Sequence, residues 1–204
     1  MRLIGQPLLG ALMLLLLVAL IAVKKAATGS IFEKPPHRLL LWLVNAFNML
    51  FLVVINPLAG ILLLARKYPA VDGSRLTITP VWFLTIVEIA GAAFYLGGFL
   101  LMGWALITLG RSYQLGGSAP RTIDHLIVKG PYAFIRHPMY TAALGIAFGL
   151  FGLTQSLVAL GIFAAYLALI LLLVPVEDES LARAYGDAYV AHQRTVKRLI
   201  PYVY

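Results

Sequence analysis

The sequence predicts an all-α, polytopic membrane protein, and three observations carry that reading. Of its 204 residues 61% are hydrophobic and only 12% charged, about half the charge of an ordinary soluble domain. A chain this apolar, with a mean hydropathy of +0.91, has too little polar surface to cover itself in water. Its apolar residues also fall into runs of the length a bilayer requires, about 20 residues of helix. Finally, 16 Lys plus Arg face 8 Asp plus Glu, a net +8, and most of these charges sit in short segments between the runs. Such a pattern speaks first for topology and then for anionic lipids, not for nucleic acid. There is no cysteine, which excludes disulfides, thiolate nucleophiles, iron–sulfur clusters and cysteine zinc sites.

About five transmembrane helices follow from the runs. The first covers residues 3–23 and closes on Lys24 and Lys25. Its length and the lack of a clean small-x-small site make it a retained span rather than a cleaved signal. The second covers 39–64, where Pro57 is expected to kink the helix. Asn45, Asn48 and Asn56 fall on one side of it and are expected to bond between helices. The third covers about 81–109; Gly91, Gly97, Gly98 and Gly103 allow close packing, and Glu88 is an intramembrane acid with a structural or substrate role. The fourth, 138–153, is short, and the fifth is 156–176. Gly152-Leu153-Thr154-Gln155 leaves room only for a tight helical hairpin between them. A short cytoplasmic C-terminal helix completes the fold. The chain divides into a three-helix membrane region, 1–108, and a second region, 109–204, that carries the candidate chemistry.

Five spans put the termini on opposite sides, and basic residues decide which side is which. Segments 24–38, 110–137 and 177–204 carry four Lys/Arg each, whereas the other face has Arg2, Arg66, Lys67 and Arg75. The amino terminus is therefore expected outside and the carboxyl terminus in the cytoplasm, as in a bacterial inner membrane. Lys24, Lys25, Lys34 and Arg38 are expected to meet anionic lipid.

Two clusters on the cytoplasmic side can carry chemistry. In Gly130-Pro131-Tyr132-Ala133-Phe134-Ile135-Arg136-His137-Pro138-Met139-Tyr140, Pro138 suits the first turn of a helix. Arg136 and His137 then stand at a helix amino end, a corner receptive to anions or simply an anchored cap. Glu177-Asp178-Glu179 directly follow an apolar run; acids at a helix carboxyl end oppose its dipole and call for a nearby cation. The hairpin between the clusters starts and finishes on the same face, which brings Arg136 and His137 near Glu177. A small zwitterion with an extra positive centre matches that mixture, and S-adenosylmethionine has this charge pattern. The four histidines, at 37, 125, 137 and 192, contain no i, i+4 pair, so no metal site is expected.

An ordered series of motifs then narrows the reading. Leu109-Gly110-Arg111-Ser112 is followed by Leu126-Ile127-Val128-Lys129-Gly130-Pro131-Tyr132 and by Arg136-His137-Pro138-Met139-Tyr140. After the hairpin come Glu177-Asp178 with Leu181, Tyr185-Gly186, Tyr189 and Ile200-Pro201. In this series residues 109–204 resemble the isoprenylcysteine carboxyl methyltransferase family and the related membrane phospholipid methyltransferases. The resemblance implies an integral membrane transferase that uses S-adenosyl-L-methionine from the cytosol and a lipophilic acceptor from the bilayer. It implies a cofactor site of Leu126, Ile127, Tyr132, Arg136, His137, Pro138, Met139, Tyr140 and Glu177. By charge, Arg136 or His137 goes to the methionyl carboxylate and Glu177 to the ammonium; His137, Glu177 and Arg136 are the residues expected at the reacting centre. The usual paired glutamates are Glu177-Asp178 here, and His192 stands where the family usually has Tyr. Leu173 replaces an arginine that the carboxyl methyltransferases carry four residues before the first acid. The acceptor therefore stays open between a carboxyl, a phospholipid amine and a lipophilic thiol. Rival expectations are a sterol-reductase-like NADPH enzyme and a non-catalytic carrier or assembly protein.

Overall fold

The helices begin and end where the backbone chemistry demands. The computed structural model describes residues 5–31, 39–74, 76, 81–113 and 125–204. Helix α1, Gln6–Thr28, has Pro7 in its first turn and closes at Gly29, whose φ of 79° lets its N–H reach Lys25 O. A glycine tolerates that left-handed cap without a Cβ penalty. Helix α2, Leu39–Leu64, is continuous, but Leu50–Ile55 widens into a π-helical stretch just before Pro57. Proline has no N–H for the preceding turn, and the expected disturbance of α2 takes this form. A single turn, Tyr68–Val71, precedes α3, Val81–Leu109. Helix α4, Pro138–Thr154, opens on Pro138, and α5 runs over Leu157–Tyr185. A short helix, α6, follows at Asp187–Thr195.

Among the described residues four helices are long and apolar enough to cross a membrane, namely α1, α2, α3 and α5, while α4 has 17 residues. The protein is an integral membrane protein built from helices. The fifth span exceeds its sequence boundary, because α5 continues through Glu177 and Asp178 to Tyr185. These acids therefore do not cap a helix carboxyl end; they lie inside the helix, two turns before it stops.

Helices α3 and α4 make the tightest seam. A Cβ on Gly91 would stand 2.6 Å from the Gly152 backbone, one on Gly98 2.7 Å from Ala142 O, and one on Gly149 2.4 Å from Tyr95 N. Backbones this close gain dispersion contacts that no larger residue permits. Of the four glycines expected to do this on α3, Gly91 and Gly98 do, whereas Gly97 faces open space and Gly103 has only Val23 at 4.0 Å. Helices α1 and α2 cross at Gly10 and Gly60 in the same way. Asn56 bonds between helices, accepting from Tyr95 Oη at 2.8 Å, and Asn48 accepts from Tyr166 Oη of α5. Asn45 instead turns its amide onto Leu41 O of its own helix, 2.7 Å away.

The α4–α5 hairpin turn is fastened at the end of the bundle remote from Glu177. Gln155 takes the left-handed conformation, and Ser156 caps α5 by accepting from Ala159 N. Ser156 Oγ donates to Asp72, which also accepts from Ser74 Oγ at 2.6 Å and Tyr68 Oη at 3.0 Å. Burial pushes the Asp72 carboxyl up, but these donors outweigh it and hold its pKa below the usual value. Glu88 is buried on α3 and engaged with a neighbour.

Candidate functional site

The site is organised around one carboxylate. Asp178, with a side chain 4% exposed, receives Arg136 Nη2 at 2.6 Å and Nε at 3.2 Å, Arg198 Nε at 2.8 Å and Tyr189 Oη at 2.6 Å. His137 Nε2 lies 2.9 Å from the same carboxylate. Two guanidiniums and a phenol satisfy a charge that burial alone would make untenable. The cation that the acids call for is thus supplied by the chain itself, from the segment before α4 and the segment after α6.

That arrangement is held by backbone as well. Arg136 N donates to Lys197 O at 2.8 Å, His137 N to Arg198 O at 3.0 Å and Thr141 Oγ1 to Leu199 O at 2.7 Å. Arg136 Nη1 reaches the carbonyls of Val196 and Gln193. Gly130 brings the segment in: its φ is 59°, and a Cβ there would meet Thr108 Oγ1 at 2.6 Å. His137 stands at the amino end of α4 without capping it through its side chain; its ring is turned to Asp178 and stacks on Tyr140 at 5.7 Å.

Glu177, one residue earlier, points elsewhere. Successive helical residues are about 100° apart, so the neighbouring acids serve different faces. Glu177 accepts from Tyr140 Oη at 2.5 Å and lines a cavity of about 490 Å³. Leu126, Ile127, Tyr132, Arg136, His137, Pro138, Met139 and Tyr140 line the same cavity. The nine residues expected at the cofactor site thus border one space, whereas Asp178, Glu179, Glu88 and Asn56 are not among its lining residues. The Tyr132 phenol is pushed up by burial and then by Glu177. His192 also lines it, with a pKa lowered by burial and by Arg136. Beyond this polar end the wall becomes apolar, formed by Leu17 and Leu20 of α1, Leu52 and Val53 of α2, and Met102 and Leu106 of α3.

Three residues central to the arrangement escape sequence reasoning as site members. Asp178 reads as the shorter half of an acid pair, Arg198 as a topology charge and Tyr189 as a motif position without a role. A polar residue directly beside the expected acid, set 100° round the helix, is the signal that singles out Asp178.

Comparison with known proteins converges on the same segment. Residues 86–188 match the family model described as phospholipid methyltransferase. The chain is 32% identical over 119 residues to the Protein-S-isoprenylcysteine O-methyltransferase of Schizosaccharomyces pombe, covering 52% of this chain and 48% of that one. It is 31% identical over 96 residues to the Cobalt-zinc-cadmium resistance protein CzcN of Cupriavidus metallidurans, covering 47% of this chain and 44% of the relative. The chain thus spans about half the length of the curated relatives it matches. The matched residues run from α3 to the start of α6 and contain Arg136, His137, Glu177 and Asp178, with Tyr189 and Arg198 just beyond them; this integral membrane chain belongs to the phospholipid methyltransferase family.

Proposed function

We propose that the protein is an S-adenosyl-L-methionine-dependent membrane methyltransferase acting on a lipophilic acceptor that arrives from the bilayer. The observation that carries this reading is the single cavity with two ends of opposite character. Its polar end presents Glu177, Arg136, His137, Tyr132 and Tyr140, and its other end is walled by Leu17, Leu52 and Leu106. When bound, the cofactor supplies an electrophilic methyl group on a sulfonium. Glu177, oriented by the Tyr140 hydroxyl, suits its ammonium; Arg136 and His137 suit its carboxylate; Tyr132 and Tyr140 offer aromatic faces.

The chain's own work is positioning and exclusion of water, which can supply most of the acceleration of an in-line displacement. No covalent intermediate on the enzyme is required. Asp178 acts as a positioning residue, holding Arg136 and His137 in place. For an acceptor that must lose a proton, His192 is suited, because its lowered pKa keeps it neutral near pH 7. The acceptor classes in view are an isoprenylcysteine-like carboxyl, a phospholipid amine and a small lipophilic thiol. Leu173, buried completely, offers a carboxylate no cation. Basic residues at the cavity end support a cytoplasmic site, with the amino terminus outside an inner membrane and Lys24 and Lys25 near anionic lipid.

Equilibrium binding of S-adenosylmethionine and S-adenosylhomocysteine to the detergent-purified protein tests the reading, with NADPH as control. Saturable binding of both, lost in His137→Ala and Glu177→Ala, is the expected result. Binding of NADPH alone by folded protein would sink it in favour of a reductase, and binding of none in favour of a carrier.

A further inference from the structure

On α2 the cavity has a polar place that the methyl-transfer reading leaves unused. Asn45 and Asn48, three residues apart on α2, lie on the same side of the helix, and both line the cavity. Each has half of its amide committed. Asn45 Nδ2 donates to Leu41 O at 2.7 Å, which leaves Oδ1 as an acceptor. Asn48 Oδ1 accepts from Tyr166 Oη, which leaves Nδ2 as a donor. Tyr166 is fully buried and fixed between Phe47 and Phe51, its ring 5.0 and 5.9 Å from theirs, so the Asn48 orientation is held from behind. The charged residues lining the cavity are Lys24, Arg136 and Glu177, and Lys24 Nζ is engaged by Ile31 O at 2.6 Å and by the Tyr113 ring at 5.1 Å. Tyr166 precedes Glu177 by eleven residues, three turns of α5.

We infer that the acceptor is an elongated amphiphile with an uncharged group that both donates and accepts, such as a hydroxyl or amide, held between Asn45 Oδ1 and Asn48 Nδ2. This rests on the reading of the apolar arm as the acceptor's place. A plain hydrocarbon would leave both amide halves facing apolar atoms. A carboxylate or phosphate would set its charge against the Asn45 oxygen, a costly arrangement in an apolar wall while Lys24 is committed to Ile31 O and the Tyr113 ring. A hydroxyl or primary amide satisfies both atoms at once.

The test is displacement of the neutral fluorophore Nile red from detergent-purified protein at pH 8 by dodecanol, dodecanoate and dodecane. Dodecanol is expected to displace it at about tenfold lower concentration than either of the others. Equal potency of the three, or preference for dodecanoate, would overturn the inference on the native protein alone. In Asn45→Leu/Asn48→Leu/Tyr166→Phe, which removes both sides of the Asn48–Tyr166 bond, the preference should vanish; its persistence would likewise overturn the assignment. In Asn48→Asp the best competitor should become dodecylamine. S-adenosylmethionine binding is measured on the same samples. Its loss with the dodecanol preference intact would sink the methyltransferase reading only, and its retention without that preference would sink this inference only.

Discussion

The α3–α4 seam and the cavity lie in the same bundle yet differ in packing, because one is made of glycines and the other of large side chains. On the seam, glycines let two backbones touch and nothing can be added. Around the cavity, Leu17, Leu20, Leu52 and Met102 pack against the core on one side and border open space on the other, where α2 widens at Leu50–Ile55. Glycines thus close the α3–α4 seam and the Gly10–Gly60 crossing, and the larger side chains around the cavity leave space for a ligand. The two acids at 177 and 178 repeat the contrast at the scale of one residue: Asp178 is enclosed by cations, and Glu177 faces the cavity.

The largest expected effect breaks the seam. Gly149→Val would drive its side chain into the Tyr95 backbone and should yield no monodisperse folded protein by size-exclusion chromatography. Val53→Ala at the cavity wall should shift stability by less than about 0.5 kcal/mol. Next comes Asp178→Ala, which strands buried Arg136 and His137 and should cost about 3–5 kcal/mol, read as a lowered unfolding midpoint together with lost cofactor binding. Glu177→Gln separates the two acids: stability should hold, while S-adenosylmethionine affinity falls about ten- to a hundredfold with one charge-assisted bond removed, as read by calorimetry. Tyr140→Phe, which only frees Glu177 to rotate, should weaken the same affinity about fivefold. The smallest effect is a pH dependence. The folded pKa of His192 lies below its ordinary 6.5, so the unfolded chain takes up the proton first as pH falls. Its contribution is complete above pH 6.5 and lost as pH falls through the folded value. Thermal melts from pH 5 to 8 should show a shallower acid-side decline in His192→Gln.

Much of the fold was legible because span length, turn chemistry and charge are local properties. Residues 39–64 and 81–109 emerge with the boundaries the apolar runs set, and Pro138 opens α4 as a first-turn proline should. Where the reading missed, the reason was equally physical. Hydropathy ends the fifth span at Val176, yet α5 continues, because Glu177 and Asp178 find partners in Tyr140 and Arg136 that a one-dimensional profile does not contain. The glycines of α3 look equivalent in the sequence, and only the path of α4 separates Gly91 and Gly98 from Gly97. Asn45 and Asn48 carry the same side chain, yet one is tied to its own helix and the other to Tyr166.

By itself the sequence determined that the chain lives in a membrane, where its helices run and which short segments hold the polar chemistry. Composition and spacing are enough for that, since a bilayer leaves a backbone few ways to satisfy its hydrogen bonds. Only the tertiary structure decided which acid is enclosed and which is open, since that depends on Arg136 and Arg198 arriving from segments 42 residues before and 20 residues after Asp178. Long-range burial assigns the charge of Asp178 to the fold and that of Glu177 to the cavity.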